Sequence, residues 1–189
     1  MIGRIRGVLV SAREDRVCVD VGGVGYEVTM TPRDLTSLPG VGEEVVVHVH
    51  THVREDEISL YGFVSSADRD LYRVLLTANG VGPKVALGLL GSLSGDEIVR
   101  AITAGDPDAL TVAPGVGKRG AQKIVLELAP KLSSPEVGLS APAGLSSVRQ
   151  ALEGLGYTTA EINMAIGELN PKDPVEDQIK AALQNLGSR

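Results

Sequence analysis

The segments TANGVGPKVALGLL at residues 77–90 and VAPGVGKRGAQKIV at residues 112–125 repeat one pattern at a spacing of 35 residues. When the two segments are superimposed, Gly80-Val81-Gly82 falls on Gly115-Val116-Gly117. Two glycines around one apolar residue, between runs of helical periodicity, predict a tight turn that joins two helices. The middle of the chain, residues 64–132, is therefore predicted to be a helical domain that contains two helix–turn–helix units.

Each Gly-Val-Gly turn also has the composition of a phosphate-binding bend. The first N–H groups of a helix have no acceptor within the helix, and glycine leaves them uncovered. The helix dipole adds partial positive charge at the same end, which favours a phosphate there. The residues predicted to contact phosphates, without reading base sequence, are Gly80, Val81, Gly82, Lys84, Gly115, Val116, Gly117, Lys118, Arg119 and Lys123.

Other readings of these glycines are weaker. One Gly-Val-Gly turn alone is equally consistent with close helix packing, but two copies at a regular spacing favour phosphate binding. A nucleotide-binding P-loop requires GxxxxGK followed by Ser or Thr, whereas Val112 and Arg119 stand at its first and last positions. The GxGxxG match at residues 115–120 follows a capped helix rather than a strand, which argues against a dinucleotide site. No cofactor is therefore expected.

The charge distribution agrees with binding through main-chain groups. The net charge is −6, and only residues 64–132 are not acidic, with 8 basic and 7 acidic side chains. Aromatic residues make up 3% of the chain, too few for a base-stacking platform, so duplex DNA is the expected nucleic acid. The chain has no apolar run of about 20 residues, no signal-peptide pattern at its start and one cysteine, which predict a cytoplasmic protein without membrane association.

The first 63 residues have the periodicity of a small barrel. Strands are predicted at 2–10, 17–21, 24–30, 45–53 and 58–63, with a short helix before the fourth. This order is typical of a five-stranded OB-type barrel. His48, His50 and His52 share one face of the fourth strand and are predicted to face solvent, with metal binding a weak alternative. Cys18 is predicted to be a buried, unreactive thiol.

The end of the chain is predicted to be a separate small domain. Residues 133–147 are rich in Ser, Pro, Gly and Ala, which predicts a flexible linker. Residues 148–189 carry three apolar stripes at helical spacing, which predict three short helices. The stripes consist of Val148, Ala151, Leu152 and Leu155, then Ile162, Ala165, Ile166 and Leu169, then Ile179, Ala182, Leu183 and Leu186. A bundle this small has a marginal core and is typical of a partner-binding module.

The sequence also resembles a known family. MIGRIRG at the start, VGGVGYEV at 21–28, VREDE at 53–57, LYGF at 60–63, NGVGPKVAL at 79–87 and PGVGK at 114–118 resemble the RuvA family of Holliday-junction-binding proteins. The resemblance spans essentially the whole chain. It implies an OB barrel, a tandem helix-hairpin-helix domain, a loose linker and a three-helix, UBA-like C-terminal domain.

The resemblance carries functional expectations. It implies a non-catalytic homotetramer, alone or as two facing tetramers, that holds an open four-way DNA junction. Glu55 and Asp56, which by composition alone form an ordinary solvated hairpin tip, correspond to an acidic pin at the crossover. The C-terminal domain is expected to bind the RuvB ATPase, with the RuvC resolvase as a further partner. The candidate motor contacts are Leu152, Leu155, Tyr157 and Ile162.

One position departs from the family pattern, and two other function classes remain open. Gly120 stands where family members commonly carry Thr, so a hydroxyl is lost beside the second bend. A DNA repair enzyme of nuclease or glycosylase type would need a metal-binding carboxylate cluster or a Lys/Asp pair, and neither is evident. A protein-interaction adaptor with purely structural hairpins is compatible with the negative net charge of the chain. DNA-binding measurements distinguish such an adaptor from a DNA-binding protein.

Overall fold

The computed structural model describes residues 1–132, 148, 151–152, 154–155, 157, 161–162, 165–166 and 175–187. The chain forms two compact units, Met1–Pro130 and Lys131–Arg189. The linker predicted at 133–147 lies outside the described residues. Within the described ranges, no helix has the length and apolarity that crossing a membrane requires.

The first unit begins with a closed five-stranded barrel, as predicted. Its strands are β1 (Arg4–Arg13), β2 (Arg16–Val21), β3 (Val24–Thr29), β4 (Glu44–Val53) and β5 (Ile58–Phe63), with helix α1 (Pro32–Leu35) between β3 and β4. The strands close in the order β1-β2-β3-β5-β4, and β3 pairs with β5 in parallel. Because strand side chains alternate between two faces, Val45, Val47 and Val49 fall on the inner face and are buried. The β-branched runs of the sequence thus identify the barrel core.

Helices α2 (Ser66–Leu75), α3 (Pro83–Ser92), α4 (Gly95–Thr103) and α5 (Lys118–Leu132) follow the barrel. A capping box precedes α4. The Ser94 side chain accepts from the Glu97 N–H, and the Glu97 carboxylate accepts from the Ser94 N–H at 2.8 Å. The Ser94 hydroxyl also donates to that carboxylate at 2.7 Å, and the hydrogen bonds from this hydroxyl and from the Ser94 N–H hold the pKa of Glu97 below its usual value. Local sequence therefore fixes the start of this helix.

The segment after Asp106-Pro107, which precedes the second bend, forms a short helix. Asp106 does cap the element, since its side chain accepts from the Ala109 N–H at 3.3 Å. The element itself is a five-residue 3-10 helix, Asp108–Val112. A helix this short, confined between Pro107 and Pro114, gains too few hydrogen bonds to propagate as an α-helix.

The outer face of β4 is less exposed than predicted. His50 lies against Tyr72 of α2, with their ring centroids 5.4 Å apart, and its Nδ1 atom is buried without a hydrogen-bond partner among the described residues. Burial, and then the charge of Arg73, lowers the pKa of His50. The expectation of solvent-facing histidines is therefore wrong for His50, because α2 covers this face. Val53, the last residue of β4, is exposed. Cys18, predicted to be buried, is only half-buried.

The second unit has a small apolar core of its own. Described helical residues occur within both of its first two predicted stripes, and α6 (Val175–Gly187) contains the third. The core consists of Val148, Leu152, Ile162, Ala165 and Ala182. Leu155, predicted to share the first stripe, is 62% exposed. Its N–H donates to the Ala151 and Leu152 carbonyls, and the chain is in a turn at this residue.

Candidate nucleic-acid interface

The two glycine bends have nearly the same backbone conformation. Gly80 has a φ of 83° and Gly115 a φ of 82°, values that residues with a side chain rarely adopt. A Cβ atom built on Gly80, Gly82 or Gly117 would have nothing within 4 Å. These glycines therefore do not serve helix packing. They turn the chain and leave its backbone open to solvent.

The valine at the centre of each bend anchors it. Val81 and Val116 are buried, at 7% and 6% exposure. The Val81 N–H donates to the Ala78 carbonyl and the Val116 N–H to the Ala113 carbonyl, both at 3.1 Å. Their side chains and N–H groups are thus used inside the protein, and a DNA contact by these two valines stays a prediction.

The helices that follow the bends present their first N–H groups outward. Gly82 is the N-cap of α3, and no side chain caps that helix. The first intrahelical bonds run from Ala86 N–H to the Gly82 carbonyl at 3.0 Å and from Ala121 N–H to the Gly117 carbonyl at 2.9 Å. The N–H groups before those bonds have no acceptor within the helix. Pro83 has no N–H, so an anion at the start of α3 has the N–H groups of Lys84 and Val85 available, whereas the first turn of α5 has no proline.

The charges at these helix starts differ from those elsewhere in the unit. Helices α2 and α4 carry Asp68, Asp96 and Glu97 in their first turns, which suits the helix dipole. Helices α3 and α5 have no acidic residue there. They carry Lys84, Lys118 and Arg119 instead, which the dipole disfavours. A local arrangement that lowers helix stability in this way is typical of a binding site.

All four predicted cations are exposed. Lys84, Lys118, Arg119 and Lys123 have no ion pair among the described residues, whereas Arg6, Arg16, Arg69 and Arg73 each lie within 4 Å of a carboxylate. Gly120 lies in the first turn of α5, exposed and with open space around its Cβ position. The four cations are therefore free to pair with phosphates.

The two bends lie side by side. A Cβ built on Gly115 would be 3.6 Å from Cγ2 of Val85, in the first turn of α3. The carbonyl oxygen of Pro114 would be 3.4 Å from a Cβ built on Gly88, in the middle of the same helix. The second bend therefore packs against α3, the helix that begins at the first bend.

The acidic tip is the turn of the β4–β5 hairpin. The Arg54 N–H donates to the Glu57 carbonyl at 2.8 Å, which closes the turn around Glu55 and Asp56. Both carboxylates are exposed, and neither has a hydrogen bond or ion pair with a described residue. A cleft of about 1040 Å³ is bordered by Arg54 and Glu57 at the base of the hairpin and by Gly82 and Lys84 at the first bend. The tip and the first bend thus flank one cleft.

The four candidate motor contacts differ in exposure. Leu152 and Ile162 are fully buried in the core of the second unit. These two side chains hold the unit together, and their role as motor contacts stays a prediction. Leu155 is 62% exposed and Tyr157 is half-buried, so these two remain accessible.

The sequence interpretation missed Asn79 and Glu127. The Asn79 N–H donates to Glu127 at 2.8 Å, which ties the residue before Gly80 to helix α5. One signal was present in the repeat: Asn79 stands where the second copy has Pro114, which has no N–H to satisfy.

Comparison with known proteins agrees with this architecture along the whole chain. Residues 1–62 match the model described as RuvA N terminal domain, residues 72–130 a SAM-like helix-hairpin-helix tandem, and residues 143–187 the RuvA, C-terminal domain. The curated protein named Holliday junction branch migration complex subunit RuvA from Pseudomonas fluorescens strain SBW25 is 41% identical over 202 residues, covering 98% of this chain and 100% of that protein. Its namesake from Marinomonas sp. strain MWYL1 is 40% identical over 198 residues, with 98% of both chains covered.

Family models thus match both ends of the chain and the paired bends between them, and the full-length relatives align from one end to the other. The sequence, the structure and these matches give the same order of a barrel, tandem hairpins and a C-terminal unit. On this basis the chain belongs to the RuvA family.

Proposed function

We propose that this protein binds four-way (Holliday) junction DNA by shape, without reading base sequence, and holds the junction open for branch migration. The observation that carries the proposal is the pair of adjacent, uncapped helix starts with four exposed cations. Donors of this kind grip phosphates and carry no base information. The full-length relatives that the chain matches are named as Holliday junction branch migration subunits, which favours this role over a repair enzyme or an adaptor.

The proposed working form is a homotetramer, alone or as two facing tetramers. In such an assembly residues 1–63 form the central part, residues 64–132 grip the duplex arms and residues 148–189 recruit the motor. Four-fold symmetry brings four copies of Glu55 and Asp56 to the crossover, where their carboxylates repel phosphates and guide strands into separate arms. The chain supplies no catalytic site or cofactor in this proposal. The RuvB ATPase supplies the work, and the RuvC resolvase is a further partner, in the cytoplasm.

Junction selectivity is the direct test. We expect nanomolar binding to a synthetic four-way junction at low salt, and binding at least about 100-fold weaker to a linear duplex of the same sequence, because only the junction engages all hairpin pairs at once. Affinity falls steeply with salt, as phosphate neutralisation requires. Fluorescence anisotropy with both DNAs over a salt series measures this. Equal affinity for junction and duplex contradicts the proposal.

The role of the acidic tip has its own prediction. Glu55→Gln combined with Asp56→Asn is expected to keep or slightly tighten junction binding, since repulsion of phosphates is lost, and to change the branch-migration rate several-fold. Gel assays of junction binding and of motor-driven strand separation measure the two effects.

The matched control is Glu14→Gln with Asp15→Asn, which removes the same charge from the exposed β1–β2 turn. This control variant should behave like the parent in both assays. If the tip variant also matches the parent in both, Glu55 and Asp56 are only a solvated turn.

A further inference from the structure

One carboxylate holds the residue that precedes the first bend. The Asn79 main-chain N–H donates to Oε2 of Glu127 at 2.8 Å, and the Asn79 side-chain Nδ2 donates to Oε1 at 3.3 Å. Glu127 lies on α5, the helix that begins at the second bend, and is 48 residues away in sequence. Both oxygens of this carboxylate thus act on the residue next to Gly80.

The second bend is fastened in a different way. The repeat places Pro114 where the first bend has Asn79, and proline has no N–H that needs an acceptor. Pro114 packs instead on α3, where a Cβ built on Gly88 would lie 3.4 Å from its carbonyl oxygen and 3.7 Å from its Cδ. Each bend is therefore attached to the helix that follows the other bend.

We propose that Glu127 is a positioning residue for DNA binding, which braces the first bend from α5 and keeps the two sets of N–H donors in fixed register. This inference rests on the proposed junction binding. Charge-assisted hydrogen bonds at both carboxylate oxygens restrict the conformations of residues 79–80. DNA binding therefore costs less conformational entropy at these two residues. The brace also explains an acidic side chain beside a phosphate-binding surface, where its charge alone weakens binding.

The two effects of Glu127 have opposite signs, which makes the test decisive. Glu127→Ala removes the brace, and we expect junction affinity to fall by about 10-fold. Glu127→Gln keeps an oxygen that accepts from the Asn79 N–H, and we expect affinity within about twofold of the parent. Asp96→Ala is the matched control, because it removes one acid from α4 in the same unit, and it should bind like the parent. Anisotropy gives the affinities, and amide hydrogen exchange at Asn79 and Gly80 reports the brace directly.

Several outcomes overturn the inference. One is that Glu127→Ala binds the junction as tightly as the parent or more tightly, and another is that Glu127→Gln loses as much affinity as Glu127→Ala. If Glu127→Ala does not fold, the Glu127→Gln variant alone tests the inference. Slow exchange of the Asn79 amide in that variant supports the brace, and rapid exchange refutes it. If the parent itself fails to prefer junctions, the proposed function fails, while the exchange experiment without DNA still tests the brace.

Discussion

Junction affinity is expected to fall by about 100-fold or more when Gly82 and Gly117 are both replaced by Asp, while the free energy of unfolding stays within a few tenths of a kcal/mol per site. Aspartate is a preferred N-cap residue, and a Cβ at either position meets open space. The new carboxylate accepts from the N–H groups that the phosphate needs and places a negative charge where the phosphate must lie. Urea unfolding followed by junction titration separates the two effects.

The control for this variant is Asn at the same two positions. Asn caps a helix as well as Asp does but adds no charge, so we expect an intermediate loss of affinity. A double Asp variant that folds and still binds the junction like the parent would falsify phosphate binding at these helix starts. A double Asp variant that loses stability instead would show that the glycines are needed for the fold.

Deleting residues 148–189 is expected to leave junction affinity within about twofold of the parent and to abolish stimulation of the RuvB ATPase. The proposed DNA-binding surface lies wholly within Met1–Pro130, which is a compact unit without the deleted segment. ATP hydrolysis by RuvB on junction DNA, measured with parent and truncated chain, gives the readout. Stimulation that survives the deletion contradicts this division of labour.

A point variant tests the role of the second unit in motor stimulation without removing that unit. Leu155→Asp changes an exposed leucine of the second unit and should weaken motor stimulation without unfolding that unit. Leu126→Asp makes the same change at a leucine of α5 that is 77% exposed and should have no effect on stimulation. Leu152 is unsuitable for this test because it is fully buried, and its replacement would disrupt the core.

The elements that the sequence predicted well are those set by neighbouring residues. Alternating valines in β4 and the glycine-rich turns between strands are local features, and the barrel follows from them. The capping box at Ser94 and Glu97 is equally local, and it marks the start of α4 correctly. The repeat located both bends because their backbone conformation, with a positive φ at Gly80 and Gly115, depends on glycine itself.

The features that the sequence did not predict depend on contacts between distant segments. His50 has the pattern of an exposed strand residue, and only the packing of Tyr72 from α2 buries it. The burial of Leu152 and Ile162 in one core depends on which distant residues of the second unit pack together. The Asn79–Glu127 contact joins residues 48 apart, and its one signal in the sequence is that the repeat aligns Asn79 with Pro114, which has no N–H to satisfy.

The use of main-chain N–H groups at the two bends bears on how the proposed DNA binding is regulated. A peptide N–H does not titrate near neutral pH and carries no amine that acetylation can neutralise, unlike lysine. This part of the proposed grip is thus constant under changing cellular acidity and protein modification. In the proposed complex, acetylation acts on Lys84, Lys118 and Lys123 and not on these main-chain donors.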